Sequence, residues 1–563
     1  MKESVSDILR AAVRLAVLKT GCVEEERVPP VIIEEPRSKE HGDFSTNVAM
    51  LLSNVTGVPP TRLAEAVADK LGAELGELGS VSVAGSGFVN VRLSEAYLRE
   101  NLRSILSGPE GFGTFDFGAG EKVQVEFVSA NPTGPLNVVS ARAAAVGDSL
   151  VRLLRACGYE AQSEFYVNDS GRQVDLLGLS LQARVRELAG LGEAVIPDEG
   201  YHGEYLIDLA REIPPERVKE MLGREGEAGA GPFSRYAVER MHEAQKKELS
   251  DFGVQYDRWF RESSLHTSGS VRDTFERLNN SGYVYDKDGA NWLKSSQLGD
   301  EQDRVLWKSS PEPVSAPAQP TYFLTDIAYH RNKFERGFGK VIDIWGPDHH
   351  GHVARMKAAM KAMGYPEDWL EVLIVQWVRL VRGKAQISMS KRAGEFVTLS
   401  DLVREVGRDC VRFFFLMRRV SSHLDFDLDL AKKQSDENPV YYVQYAHARA
   451  SNIIEFAREG GVGLCGLEQA DLSLLKENEE IALLREMVKF PETVRAACLG
   501  REPQRVTGYL TCLATALHQF YHNHRVVGVD PALMQARLVL VRGVKTLLKN
   551  GLELIGVSAP DKM

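Results

Sequence analysis

The chain has 563 residues, 44% of them hydrophobic and 26% charged, with a formal net charge of −10 at pH 7. That length exceeds what one core needs, so three or four domains are expected, and the acidic balance excludes a generally basic nucleic-acid coat while leaving room for a local basic face. The six cysteines are scattered with no C-x-x-C pair, which argues against a structural zinc site and for a reducing, cytoplasmic setting. No run approaches the length of a membrane span, and the first helix lacks the apolar core and cleavage site of a signal.

In chain order, residues 1–112 read as a small α/β domain. Apolar residues at helical spacing mark 5–18 and 61–75, and "SVSVAGSGFVNVRL" alternates like strand pieces around glycines. The glycine-rich break "GPEGFGTFDFGAGEK" ends it. From Val123 the pattern becomes a strand, "VQVEFVS", a turn, "ANPTGP", and a helix over 140–157 with Val146, Leu150, Leu153, Leu154 and Cys157 at intervals of three and four. "EAQSEFYVND" is a second strand, and strand–helix–strand at this length predicts a parallel sheet. Residues 175–285 are charged and helical in spacing, a helical insertion in the sheet domain. After the proline-rich "SSPEPVSAPAQP", an exposed extended loop, a second αβ run begins at "TYFLTDIAYHR" and completes a domain over 113–435. From 436 to 563 nearly everything reads as helix. The expected fold class is α/β: a Rossmann-type parallel-sheet domain with a helical insertion, a small N-terminal α/β domain and a C-terminal α-helical bundle.

Four segments carry candidate chemistry. In "PLNVVSAR" the tip of a helix offers free N–H groups and a positive dipole end, with Asn137 and Ser140 as added donors on one side; an ordinary capped helix fits the spacing equally. In "QISMSKRAGEFVTL" Lys391 and Arg392 could clamp triphosphate oxygens, or could form a solvated basic turn. In "TYFLTDIAYHR" Tyr322 and Asp326 are four apart and share a helix face, where a carboxylate could take a guanidinium; an exposed Asp beside a half-buried Tyr is the plainer alternative. Glu126 joins them as a candidate because a carboxylate on a buried strand is costly unless it meets a cation. "WGPDHHGHVAR" places Asp348 beside His349, His350 and His352, but the spacing is not a standard ligand set, so no metal held by protein side chains is expected.

In this order and spacing, "HGDFSTNVAM", "AGSGFVNVRL", "VEFVSANPTGPL", "FYVNDSGRQ", "TYFLTDIAYHR", "WGPDHHGHVARMKAA", "MSKRAGEFVTL", "HLDFDLDLAKKQSDENPVYYVQYAHAR" and "GVSAPDKM" resemble the arginyl-tRNA synthetases, a class I aminoacyl-tRNA synthetase family, along nearly the whole chain. The resemblance implies a domain that makes arginyl-adenylate from arginine and ATP, with Mg2+ accompanying the ATP, and passes the arginyl group to tRNA(Arg). It implies arginine contacts at Glu126, Asn131, Tyr322 and Asp326. ATP contacts are implied at Asn137, Val139, Ser140, Asp348, His349, Met389, Ser390, Lys391 and Arg392, with Asn137, Ser140 and Lys391 catalytic. It also implies tRNA contacts at Asn47, Tyr441 and Tyr445, a cytoplasmic setting, no membrane partner and the family's common monomeric state.

The chain departs from the family's pattern in two motifs. Where the family carries His-x-Gly-His or a near relative, this chain has Asn137, Val139 and Ser140, and Ser388 replaces the first lysine of the mobile loop. Asn137 and Ser140 keep donors without positive charge, while the methyls of Val139 occupy space where adenine would lie. An active or slowed ligase is the leading expectation. A paralogue that binds tRNA or arginine without making adenylate is the second, and an unrelated Rossmann nucleotidyltransferase the third.

Overall fold

The computed structural model describes residues 4–36, 38–223, 231–308, 319–383, 385–386, 397–463 and 466–563. Among them the chain divides into two compact units, one made of 1–116 with 435–554 and 558–563, the other of 117–434 with 555–557. The two ends of the sequence therefore pack as one body. The helix Glu95–Ser107 lies against the helices Asn478–Met487 and Pro531–Leu554. At that junction a Cβ on Gly543 would stand 2.4 Å from Leu102, and Arg103 donates to the Leu467 carbonyl at 2.8 Å.

In this first unit a three-stranded antiparallel sheet, Phe44–Thr46 beside Phe88–Leu93 beside Gly79–Ala84, carries the expected helices Val5–Lys19 and Pro60–Leu75. The C-terminal part is helical, with Pro439–Glu459, Gln504–Asn523 and Pro531–Leu554 its longest members. No described helix of either unit is long and apolar enough to cross a membrane.

The second unit is built on a five-stranded sheet in the order Leu370–Ile374, Lys340–Trp345, Lys122–Phe127, Glu160–Val167, Arg258–Arg261, every pair parallel. The strand that comes first in the chain lies in the middle, and the connections depart from it to both sides. Such a reversal leaves a crevice at the carboxyl ends of the central strands, where α/β proteins bind ligands.

The helix Val138–Ala156 returns over one face of this sheet. It approaches closely because residue 147 is glycine: a Cβ there would lie 2.1–2.5 Å from the ring of Phe127. The helical excursion is shorter than 175–285. Its helices run from Arg172–Leu188 to Pro232–Asp251, and "RWFR" at Arg258–Arg261 is then an edge strand of the main sheet. Four residues of mixed charged and aromatic character are too few for a period-two signal to register. A small antiparallel sheet, Val284–Lys287, Ala290–Leu293 and Arg304–Trp307, follows it. The proline-rich loop lies almost wholly outside the described residues.

Gly147→Val should destabilise the second unit by about 1–3 kcal/mol through overpacking against Phe127. Urea unfolding read by tryptophan fluorescence checks this cleanly, because all six tryptophans, Trp259 to Trp377, belong to that unit. An unchanged midpoint would mean the helix does not sit this close.

Candidate active site

Register across the central strands sets Asp343 beside Glu126 and Glu126 beside Glu164, so three carboxylates stand abreast on one face of the sheet. All are buried, at 0%, 7% and 0% exposure. Left alone they would be prohibitively costly. The helix Tyr322–Glu335 lies over them and supplies the partners. Lys333 Nζ donates to Glu126 Oε2 at 2.5 Å and to Asp343 Oδ1 at 2.8 Å. His330 places one ring nitrogen 2.8 Å from Asp343 Oδ2 and the other 2.8 Å from the Asp326 carbonyl. Tyr329 donates its hydroxyl to Glu164 at 2.6 Å, and Arg336, just past the helix, forks onto the same carboxylate.

Burial raises the Asp343 carboxyl, but the charges of Lys333 and His330 outweigh it and bring the group down to about 2. Burial pushes the Glu126 carboxyl up by more than Lys333 offsets.

Where the strand Lys122–Phe127 ends, the backbone bends sharply. Val128 and Ser129 both adopt positive φ, 71° and 40°, at a cost of about 1–3 kcal/mol each for residues with side chains. The bend is held because the Ser129 hydroxyl donates to Glu126 Oε1 at 2.8 Å and accepts from the Tyr166 N–H at 3.1 Å. The turn it starts leads to Asn137, which caps the helix Val138–Ala156 by accepting from the Ser140 N–H at 2.9 Å. The cap occupies the amide oxygen, so Nδ2 is what Asn137 has left to donate. Val139 and Ser140 are half-buried at the same helix end.

The next strand over ends in Gly346 and the short 3-10 turn Pro347–His349, with Asp348 and His349 exposed. A cleft of about 560 Å³ opens there, walled by Asp326, Asp348, His349, His352, Arg304 and Arg355 among others. Asp326 meets His352 Nε2 at 3.2 Å. Tyr322, one turn before Asp326 as the spacing predicts, is 62% exposed, with its hydroxyl over Gly171.

The structure thus gathers Asp326, Asp348 and His349 around one cleft. Glu126 is not on its wall; the cation beside Glu126 is Lys333 of the chain itself. Asn131 is exposed and donates to Gln173 Oε1 at 2.6 Å. Ser388, Met389, Ser390, Lys391 and Arg392 lie outside the described residues. No group of three or more potential metal ligands is assembled among the described residues.

In the other unit Tyr441 and Tyr445 stack at 6.0 Å, and Arg449 lies 4.6 Å over the Tyr445 ring. Asn47 stands at the start of the helix Val48–Thr56, half-buried, with an Oδ1 that no described group satisfies.

Lys333, His330 and Asp343 are not among the residues that the sequence motifs single out. The signal was present: Asp326, His330 and Lys333 are spaced four and three on one helix face, and "VIDIW" puts an acid on an apolar strand, just as "VEF" does. Arg142 is not singled out either; it is fully buried and donates to the carbonyls of Gln376 at 3.0 Å, Arg419 at 2.9 Å and Ser422 at 2.8 Å. Burial brings that guanidinium down to about 10.

Lys333→Met leaves two buried carboxylates without their cation and should destabilise the second unit by about 3–5 kcal/mol. Tryptophan-monitored urea unfolding measures it, and a loss below about 1 kcal/mol would contradict the arrangement.

Three family models match the chain in succession: the arginyl tRNA synthetase N terminal domain over residues 1–93, the catalytic domain of the class I (R) tRNA synthetases over 103–413, and the DALR anticodon binding domain over 443–563. The arginine–tRNA ligase of Caldanaerobacter subterraneus is 44% identical over 566 residues, covering 100% of this chain and 99% of its own. That of Moorella thermoacetica is 45% identical over 543 residues, 96% of each. The solved Thermus thermophilus arginyl-tRNA synthetase superposes with a TM-score of 0.76, 23% identical, over 99% of this chain and all of that one, a likeness of fold. Because the catalytic model alone spans more than half of the sequence and the relatives match it from end to end, the chain belongs to the arginyl-tRNA synthetase family.

Proposed function

We propose that the chain is an active arginine–tRNA ligase. It joins arginine to ATP as arginyl-adenylate with release of diphosphate, then transfers the arginyl group to the terminal ribose of tRNA(Arg). The observation that supports this most is the end-to-end match to arginine–tRNA ligases, together with a cleft at the sheet's carboxyl edge that holds Asp326, Asp348 and His349. In this reading 1–112 contacts tRNA through groups such as Asn47, 113–435 carries the chemistry, and 436–563 meets the anticodon with Tyr441 and Tyr445 as stacking surfaces. The cytoplasm is the proposed setting and a monomer the proposed state.

Asp326 is assigned to the guanidinium of arginine, with Tyr322 and Asn131 at the seat's rim. Glu126, already paired with Lys333, sets the charge beneath it. ATP, carrying its Mg2+, is assigned to the tip of the Val138–Ala156 helix, where the dipole and free N–H groups favour phosphate. As the arginine carboxylate attacks the α-phosphorus and diphosphate leaves, Asn137 Nδ2 and the Ser140 hydroxyl donate to the crowded phosphate. Lys391 and Arg392, flanked by Met389 and Ser390, balance the triphosphate; Asp348 and His349 face the nucleoside. Losing an oriented donor at such a place costs about 10²–10³ in rate. The neutral donors here therefore imply a slower step than a cationic pair would give.

Purified protein with arginine, ATP, labelled diphosphate and tRNA(Arg) should exchange label; tRNA(Arg) binding without exchange would support the non-activating paralogue instead. Asp326→Ala should raise the KM for arginine about 10- to 100-fold, as expected for a lost charge-assisted pair, with the KM for ATP little changed. Equal losses for both substrates would contradict the seat. Asn137→His with Val139→Gly should raise kcat and lower the KM for ATP. No gain would mean that neither position limits the reaction.

A further inference from the structure

The turn between the strained bend and the helix tip has few hydrogen bonds of its own. Its main chain is held by side chains of the helical excursion. Gln245 Nε2 donates to the carbonyls of Asn131 at 3.1 Å and Gly134 at 3.0 Å. The Tyr205 hydroxyl donates to the Thr133 carbonyl at 2.6 Å. Glu248, one turn beyond Gln245 on the helix Pro232–Asp251, accepts from the Leu136 N–H through Oε2 at 3.0 Å. That helix packs closely on the helix Arg172–Leu188 at Gly178, whose Cβ would meet Ser234 at 2.0 Å.

Glu248 has a second partner. Its Oε1 accepts from the Ser400 hydroxyl at 2.6 Å. Ser400 lies in the first turn of the helix Leu399–Val406, which Thr398 and Asp401 cap reciprocally. The same two segments also touch directly. The Leu399 N–H donates to the Leu136 carbonyl at 2.8 Å, and Asn137 and Thr398 form a β-bridge. One partly buried carboxylate thus joins the residue before the helix tip to the start of the helix that closes the "MSKR" segment in sequence.

We propose that Glu248 is a positioning residue: it fixes the helix tip carrying Asn137 and Ser140 against the helix that begins at Leu399, so that the phosphate donors do not drift during adenylate formation. The inference rests on the assignment of ATP to that tip. Two donors converge on its two oxygens, so the site needs an acceptor pair, or an amide whose nitrogen donates to the Ser400 hydroxyl. A small misplacement of donors is costly in rate and cheap in substrate affinity.

Kinetics and hydrogen–deuterium exchange decide it together. Glu248→Leu, assayed where its tryptophan fluorescence reports a folded unit, should lower kcat for tRNA-dependent diphosphate exchange on the order of tenfold to a hundredfold with the KM for arginine unchanged. Glu248→Gln should restore most of the loss, and Ser400→Ala should add nothing to Glu248→Leu. Peptides covering 131–140 and 397–406 should exchange faster together in Glu248→Leu, and those covering 131–140 faster in Ser400→Ala. A folded Glu248→Leu with wild-type kcat overturns the proposal. So does unchanged exchange over 131–140 in Ser400→Ala, the variant that decides if Glu248→Leu does not fold. If the unaltered protein exchanges no diphosphate, the ligase reading has failed, while the deuterium measurement still tests the clamp.

Discussion

Three carboxylates abreast in the middle of a parallel sheet are the constraint on which the catalytic unit depends. Asp343, Glu126 and Glu164 are contributed by three neighbouring strands, and register makes them neighbours. Nothing apolar could cover them. The covering helix must present cations and donors in the same row, which Tyr329, Lys333 and Arg336 do at intervals of four and three. A helix matched in this way has one acceptable register: sliding it by a turn would leave charges facing charges or carbon. The match fixes Asp326, near the helix's beginning, on the wall of the cleft, with Tyr322 one turn before it. Buried ion pairs contribute little net stability compared with apolar packing, so what this network supplies is placement.

The second anchor is strain. A β-branched residue at φ 71° is held only by surroundings that over-determine it. Here the Ser129 hydroxyl ties the bend both to Glu126 and to the next strand. The acidic row and the strained bend therefore share an atom group, the Glu126 carboxylate, which links the row beneath the helix Tyr322–Glu335 to the turn that delivers the helix tip. Beyond the bend the main chain borrows its hydrogen bonds from the helical excursion. A functional loop on a rigid scaffold is the usual arrangement; in this chain part of the scaffold is the insertion itself.

Much of this was legible in the sequence. The strand–turn–helix at 123–157 and the helical C-terminal part rest on long, clean periodicities. The shared face of Tyr322 and Asp326 follows from a spacing of four. The rule that a carboxylate on a buried strand must meet a cation identified Glu126, and it applies equally to Asp343. What it could not say is which cation: a lysine 207 residues away in the chain is a tertiary partner that no local pattern reveals. The same holds for Glu248, whose two partners lie 112 and 152 residues away. The edge strand Arg258–Arg261 was absorbed into the helical insertion because four residues carry no measurable period. The packing of the two chain ends into one unit joins helices that look self-sufficient when read singly, through apolar packing at Leu102 and hydrogen bonds such as that of Arg103 to the Leu467 carbonyl.

The most direct test is a crystal structure with arginine and a non-hydrolysable ATP analogue bound. The guanidinium should lie against Asp326, the triphosphate at the tip of the helix beginning at Val138, and Lys333 should still bridge Glu126 and Asp343 beneath them. A guanidinium seated elsewhere, or a Lys333 driven off Glu126 by the substrate, would contradict this arrangement.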